Sequence, residues 1–472
     1  MKKWGQIVLL ILMGGAVYYN SLFNGFVSDD HIVIEKNLFY KSWNNLPRLF
    51  DNSYLAHQND YFIKEPPYDS SGAVSYRPMI SLFYFLDYHF WQENPFGWHL
   101  DSVVLHLINT LLLYYLVLLM LKNETTAFLT AVFFCVHPVQ SEAVNVISYR
   151  HAMLDTFFVL LGLIFYVKAS AAAQKRNMGC YVLSLLCYFF AVFSRESAVV
   201  FPFIVFLYDF FVLQQKEAIN PRQFIRRYTL FYVVTLFFLY IYFFVFPNTA
   251  LPENHLLGGA LGVHALSIVM NFFRYLFWLL FPMFVNVVAP MYAPVVNQET
   301  LGQVIVNCLA FLTFIMLSIK CVRGEKKALF FSLWFVVFFL PISNVIPLAN
   351  PVAQRFMYLP SIGICALAAI FSQQLLSEFK RLGTGLISFL ILLLCGMTIS
   401  LNMLWANDLR LFLTLTRLYP ENLRSQEFLG MVYFNMGLDK EAEEHLQKAL
   451  ELGSQDPRME TIFKIMKERK GL

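Results

Sequence analysis

The residues that could do chemistry in this chain are acids and arginines standing at the ends of apolar runs. Asp29 and Asp30 come directly after the first such run, in Phe26-Val27-Ser28-Asp29-Asp30-His31. Two carboxylates at a membrane boundary are costly to desolvate. Acids are also poor partners for a helix C-terminus, where the macrodipole is already negative. They suit one task well. An alcohol is too weak an acid to ionise before it attacks, so a neighbouring carboxylate takes its proton as the new C–O bond forms. Asp29 and Asp30 are therefore both candidates for a base or an acceptor-positioning acid, with Asp30 favoured as nearer the substrate cavity.

The cations form a second set. Tyr76 and Arg77 lie in Ser75-Tyr76-Arg77-Pro78 and offer donors to a phosphate or a sugar. His137-Pro138 opens a dense polar stretch that continues with Glu142, Asn145, Ser148, Tyr149, Arg150, His151 and Asp155. Arg195 and Glu196 sit in Ser194-Arg195-Glu196-Ser197, where a plain ion pair between neighbours is the alternative. Arg355 and Tyr358 belong to Gln354-Arg355-Phe356-Met357-Tyr358-Leu359-Pro360-Ser361. A guanidinium binds phosphate through two parallel hydrogen bonds and stabilises the charge that grows as a sugar–phosphate bond breaks. Arg77, Arg150, Arg195 and Arg355 are thus the pool for a donor phosphate. Glu142, Glu196, His137 and Tyr358 would shape the pocket.

The elements that must position these groups are membrane helices. Of 472 residues, 58% are hydrophobic and only 14% charged, against about 25% charged in a soluble domain. The modest net charge of +4 gives no sign of a nucleic-acid partner. The seven Cys lack metal-type spacing and nearly all fall within apolar runs. A crossing needs about 20 apolar residues, and about eleven stretches qualify: 5–22, 100–121, 126–144, 151–170, 178–194, 198–214, 228–246, 300–320, 328–345, 358–376 and 384–403. The first is read as an uncleaved span. Lys and Arg concentrate in alternate loops, which puts the N-terminus in the cytoplasm and Asp29, Asp30 and the C-terminus outside. The outer arginines run against that bias, so each needs a local anion.

Three regions depart from simple spans. Residues 23–99 form a long outer loop in which Pro78–Trp91 suits a helix lying along the interface. Residues 264–281 carry Asn271 and Arg274 inside an apolar run and read as re-entrant or interfacial. After Trp405 the chain turns polar: Leu429-Gly430, Tyr433, Ala442, Leu446 and Ala449 have the offsets of one tetratricopeptide repeat at about 423–456. The organisation is thus a membrane domain, 1–404, and a helical domain, 405–472. One repeat cannot bury its own face and must dock on the membrane domain or on partial helices at 406–420 and 456–468.

Taken in order, these motifs resemble a known family. Asp29-Asp30, Ser75-Tyr76-Arg77-Pro78, Phe96-Gly97-Trp98-His99-Leu100, His137-Pro138 with Glu142-Ala143-Val144, Ser194-Arg195-Glu196, Gln354-Arg355 with Tyr358-Leu359-Pro360-Ser361, and a tetratricopeptide end are similar to the transmembrane-and-tetratricopeptide O-mannosyltransferases and their prokaryotic relatives, of the GT-C glycosyltransferase fold. The resemblance implies an all-α polytopic membrane enzyme that moves a single sugar, with inversion, from a polyprenyl- or dolichyl-phosphate donor to a hydroxyl of a protein Ser/Thr or a glycan. It implies a site outside a prokaryotic cytoplasmic membrane or in the endoplasmic reticulum lumen. It assigns an aspartate of the pair to the acceptor and Arg355 or another outer arginine to the donor phosphate. It implies no required cofactor, with a divalent metal on the carboxylate pair as the minority alternative. Two departures stand out. The family often has many tetratricopeptide repeats, and Arg195 stands where many relatives have Lys. The competing readings are a transporter or flippase of lipid-linked saccharide, which calls for polar residues at span centres and internal repeats, and a non-enzymatic assembly factor.

Overall fold

The computed structural model describes residues 3–55, 75–170, 177–213, 221–247, 261–284, 326–348, 350–456 and 458–469, with the isolated positions 302, 305, 306 and 309. In chain order its α-helices are α1 (Lys3–Val17), α2 (Pro78–Trp91), α3 (Pro95–Leu121), α4 (Glu124–Val136), α5 (Ser141–Asn145), α6 (His151–Ser170), α7 (Met178–Ser194), α8 (Phe201–Leu207), α9 (Pro221–Tyr240), α10 (Leu261–Leu280), α11 (Lys326–Phe339), α12 (Ser361–Glu378), α13 (Lys380–Leu404), α14 (Asp408–Leu418), α15 (Leu423–Asn435), α16 (Asp439–Glu451) and α17 (Arg458–Arg469). The described chain is all-helical, as expected for an integral membrane protein. Six of its helices are long and apolar enough to cross a membrane, or seven if one bent pair counts as a span. Two further expected spans, α1 and α7, are shorter apolar helices of 15 and 17 residues. The expected span 300–320 lies almost wholly outside the described residues.

Local chemistry sets the boundaries that matter. Asn94 caps α3 by accepting from the Phe96 N–H, with Pro95 at the first helical position, where a missing N–H costs nothing. Asn123 caps α4 in the same way through Thr126. The expected span 126–144 is broken. The helix stops at Val136, His137 is extended, and the chain resumes after Pro138 at an angle of 52°. A residue before proline avoids the α region and proline cannot supply the N–H a continuing helix requires. His137 itself becomes the cap, its Nδ1 accepting from Val139 N–H.

The piece Pro78–Trp91 is a helix with the expected bounds. Ile80, Ser81, Tyr84, Phe85 and Asp87 are buried while Phe90 is exposed. Residues 264–281 fall almost entirely within α10, one continuous helix of 20 residues, which has no re-entrant turn and fits a helix along the interface as well as a crossing one. Its polar His264, Ser267 and Asn271 are buried, while Arg274 is half-buried, so the first three are turned away from lipid.

Helices α3, α4, α6 and α12 form the centre, with α7 packed along α6 and α11 along α12. Several polar groups at the centre bond one another. The Tyr358 hydroxyl contacts His106 Nδ1 at 2.7 Å and receives an Asn109 amide bond, and His106 Nε2 faces the Cys135 carbonyl. In the region of the expected repeat, α15 and α16 pack as a helical hairpin. Gly430 lets α15 and α16 meet, since a Cβ there would lie 2.6 Å from Leu446 Cγ. Gly437 turns between the two helices with φ +75°. Trp405, Leu411, Phe412 and Leu415, joined by Leu429 of α15, pack on Val27, Val146 and Tyr149 of the membrane domain.

Candidate active site

One end of the bundle collects the chemistry. The C-terminal ends of α1, α5, α7 and α13 meet the N-terminal ends of α6 and α12 there, as hydrogen bonds join Asn24 to Asn145 and Asn402, and Glu142 to Arg355. Asn145 also donates to Asn402 and to Ser141, so an amide network underlies the site floor. Sequence reasoning singled out Asn145 but missed Asn24 and Asn402. Isolated asparagines near span ends carry no spacing signal.

The two aspartates have different surroundings. Asp30 is fully buried. Its Oδ1 accepts from Ser148 N–H at 2.7 Å, and its Oδ2 accepts from Ile147 N–H at 3.2 Å and Val27 N–H at 3.4 Å. Burial pushes its carboxyl up to about 6, and these amide bonds pull the other way. Asp30 thus ties the outer loop to the 146–149 turn. Asp29 is half-buried and its Oδ2 accepts a 2.8 Å bond from the Tyr149 hydroxyl. The expectation favouring Asp30 as the acid nearer the substrate meets this difference: Asp29 is the carboxylate with room for a partner.

Tyr149 connects that acid to a cation. The Arg355 guanidinium lies over the Tyr149 ring, 3.7 Å from its centroid. Glu142 holds Arg355 twice, accepting from its backbone N–H at 2.7 Å and from its guanidinium. Both side chains are buried. The break at His137-Pro138 makes this geometry available, because it turns 138–145 aside to form a ledge facing Arg355. Asp29, Tyr149, Arg355 and Glu142 therefore form one continuous chain.

Next to it stands a second group. Arg77 makes a two-pronged pair with Glu196, at 2.7 and 3.0 Å, and its Nη1 is 3.3 Å from His151 Nε2. Arg77 and Arg195 hold the Glu196 carboxyl down at about 2, although burial works against them. The simple Arg195–Glu196 pair does not form. Arg195 is buried, and its guanidinium lies 5.1 Å from the Phe356 ring centroid and makes no hydrogen bond or ion pair among the described residues. Burial lowers its pKa; Asp155 and Glu196 oppose that shift, while Arg77 and Arg355 add to it. His151 feels the charges of Arg77, Arg195 and Arg355 together. Positive charge thus accumulates around His151, and one of the three guanidinium groups is unpaired.

The remaining candidates are engaged in packing. Arg150 is buried with Asp87, and also donates to Ser102 Oγ and to the Trp98 carbonyl. Tyr76 stacks on Phe246 with centroids 3.9 Å apart. His137 Nε2 faces the Leu279 carbonyl at 3.1 Å, and Tyr358 sits in the central polar cluster. The structure therefore brings Asp29, Glu142, Arg77, Arg195, Glu196 and Arg355 together and leaves Asp30, Tyr76, His137, Arg150 and Tyr358 in supporting places. Tyr149 and His151 belong to the site; sequence reasoning included them only as part of a polar stretch. Among the described residues, no three His, Cys, Asp or Glu side chains converge as metal ligands would.

No protein-family model matches the chain. It is similar along most of its length to curated proteins. Protein O-mannosyl-transferase F38B6.6 of Caenorhabditis elegans is 25% identical over 456 residues, covering 95% of this chain and 62% of that protein. Protein O-mannosyl-transferase TMTC3 of Homo sapiens is 24% identical over 477 residues, covering 94% and 50%. The resemblance read from the ordered motifs therefore extends over nearly the whole chain, which spans between half and two thirds of the length of these relatives. Among solved structures, ArnT from Cupriavidus metallidurans bound to undecaprenyl phosphate aligns over 95% of this chain and 76% of its own, with 13% identity and a TM-score of 0.47.

Proposed function

We propose that the protein is a membrane glycosyltransferase of the GT-C type that moves one sugar from a polyprenyl-phosphate carrier to a hydroxyl group, with inversion. The observation that carries this reading is the chain Asp29–Tyr149–Arg355–Glu142 beside Arg195, whose guanidinium has no ion-pair partner among the described residues. It sets a proton acceptor near anion-binding groups, as a single displacement at a sugar carbon requires. The acceptor oxygen attacks the anomeric carbon and the carbon–oxygen bond to the phosphate breaks. Asp29 takes the hydroxyl proton. The lipid phosphate leaves with the bonding electrons, and Arg355 and Arg195 neutralise the growing charge in a site poor in water. Glu142 fixes Arg355, and Arg77 and Glu196 line the sugar side.

The names of the curated relatives support mannose as the sugar and a protein Ser or Thr as the acceptor. The positive-inside bias supports a site outside the cytoplasm. The reading routes no step through a metal; Asp30 already accepts three amide N–H bonds, which leaves Asp29 the freer carboxylate of the pair. The test is transfer from synthetic polyprenyl-phosphate mannose to a Ser/Thr peptide by the purified full chain in lipid nanodiscs. Mannosylated peptide and free polyprenyl phosphate are expected in equal amounts. Absence of both with every polyprenyl-phosphate sugar tried removes the proposal.

A further inference from the structure

The loop that carries Asp29 is held from an unexpected direction. Ser28, just before it, has φ +55°, in the left-handed region that costs a residue with a Cβ about 1 kcal/mol or more. Such a conformation persists only where the surroundings impose it. The restraint comes from the C-terminal helices. Asp408, the first residue of α14, accepts from Ser28 N–H through Oδ1 at 2.8 Å. Its Oδ2 is 2.9 Å from His31 Nε2, and the other ring nitrogen of His31 is 2.5 Å from Glu35. Asp408 is not needed to cap its own helix, because Asn407 does so by accepting from Arg410 N–H. Two residues before Asp408, the Ala406 carbonyl accepts from Gly25 N–H at 3.0 Å.

Apolar packing follows the same route. Val27 is fully buried in the cluster that holds Trp405, Leu411, Phe412 and Tyr149. Tyr149 is the residue that donates to Asp29. Residues on both sides of Asp29, and its hydrogen-bond donor, are thus fastened to 405–415. We infer that Asp408 is a positioning residue for Asp29, and that the C-terminal helical unit serves the reaction by holding the base loop as well as by any contact with an acceptor. This rests on the reading of Asp29 as the base. It gives the helices that follow Trp405 a role besides any contact with an acceptor.

The test compares Asp408→Ala and Asp408→Asn with the wild type in the full-length protein. Asn keeps an acceptor for Ser28 N–H and turns an uncharged amide N–H₂ towards His31 in place of Oδ2. Misplacement of a catalytic group by about 1 Å can cost on the order of a hundredfold in rate. Asp408→Ala is expected to lower kcat by roughly that factor, with the KM for the lipid donor unchanged, and Asp408→Asn is expected to recover much of the loss. Arg410→Ala, on the same helix but bonded to the Met403 carbonyl, should leave kcat alone. A second readout needs no activity: amide hydrogen exchange at 25–31 should quicken about tenfold or more in Asp408→Ala, while thermal unfolding of the whole protein stays put. Unchanged exchange in the loop overturns the inference. So does a kcat that falls only as the folded fraction falls, with no recovery in Asp408→Asn. Loss of loop protection in a protein that transfers no sugar would count against the reading of Asp29 as the base and leave the Asp408 restraint standing.

Discussion

Glu142→Gln is the perturbation whose outcome can be worked furthest from the structure. Glu142 accepts two bonds from one residue, Arg355, through separate oxygens. Glutamine has nearly the same shape but only one carbonyl oxygen, so its amide nitrogen must face one of two N–H donors. The guanidinium, buried and stacked on Tyr149, also loses its counter-ion. Breaking a buried pair from one side costs about 3–5 kcal/mol. The retained bond returns about 1–1.5 kcal/mol of this, leaving a net loss of roughly 2–4 kcal/mol. An anionic lipid phosphate should restore part of what was lost, because it replaces the missing negative charge. Thermal unfolding in detergent, with and without a short polyprenyl phosphate, reads both effects. The variant should unfold at a lower temperature than the wild type and gain more from the ligand. Equal stabilisation of both proteins by the ligand would refute the assignment of Arg355 to the donor phosphate.

Three other outcomes follow from neighbouring contacts. Arg195→Ala removes a cation that has no ion-pair partner among the described residues, so folding should be nearly unaffected while the KM for the lipid donor rises about tenfold or more, as loss of a charged hydrogen bond implies. Asp87→Asn strands the buried Arg150 and should destabilise by about 3–5 kcal/mol, yet leave kcat per folded molecule unchanged. His31 is raised to about 10 by its bonds to Asp408 and Glu35, against the effect of burial. A histidine raised in the folded state contributes stability that is whole below its unfolded value, about 6.5, and fades as pH climbs towards 10. Protease cleavage between 25 and 31 should therefore quicken as pH rises from 7 to 10, and His31→Gln should flatten that rise.

Much of the fold was legible because lipid imposes a coarse rule: apolar runs of the right length become helices. The bounds of His151–Ser170 and Met178–Ser194 come directly from it. The α15–α16 hairpin was legible because Gly430 and Ala442 are small where two helices must approach. The straight course of α10 was not, because a sequence does not say whether Asn271 faces lipid or protein. At the site, residue type and position at span ends identified the acids and arginines. Their pairing was beyond reach. Adjacent Arg195 and Glu196 look like partners, yet Glu196 joins Arg77 from a distant segment. Asp29 and Asp30 look equivalent until the Ser148 and Ile147 amides claim one of them. Asp408 carried no signal at all, since its task depends on a docking that brings residues hundreds of positions apart into contact.

The central claim is that Asp29 takes the acceptor proton while Asp30 holds the loop. The direct measurement is kcat for sugar transfer, paired with thermal stability, in Asp29→Asn and Asp30→Asn. A positioned general base contributes about 10²–10⁴-fold. Asp29→Asn should lose activity by such a factor at wild-type stability, whereas Asp30→Asn, which disturbs three amide bonds, should first lose stability. Full activity in Asp29→Asn would contradict the account.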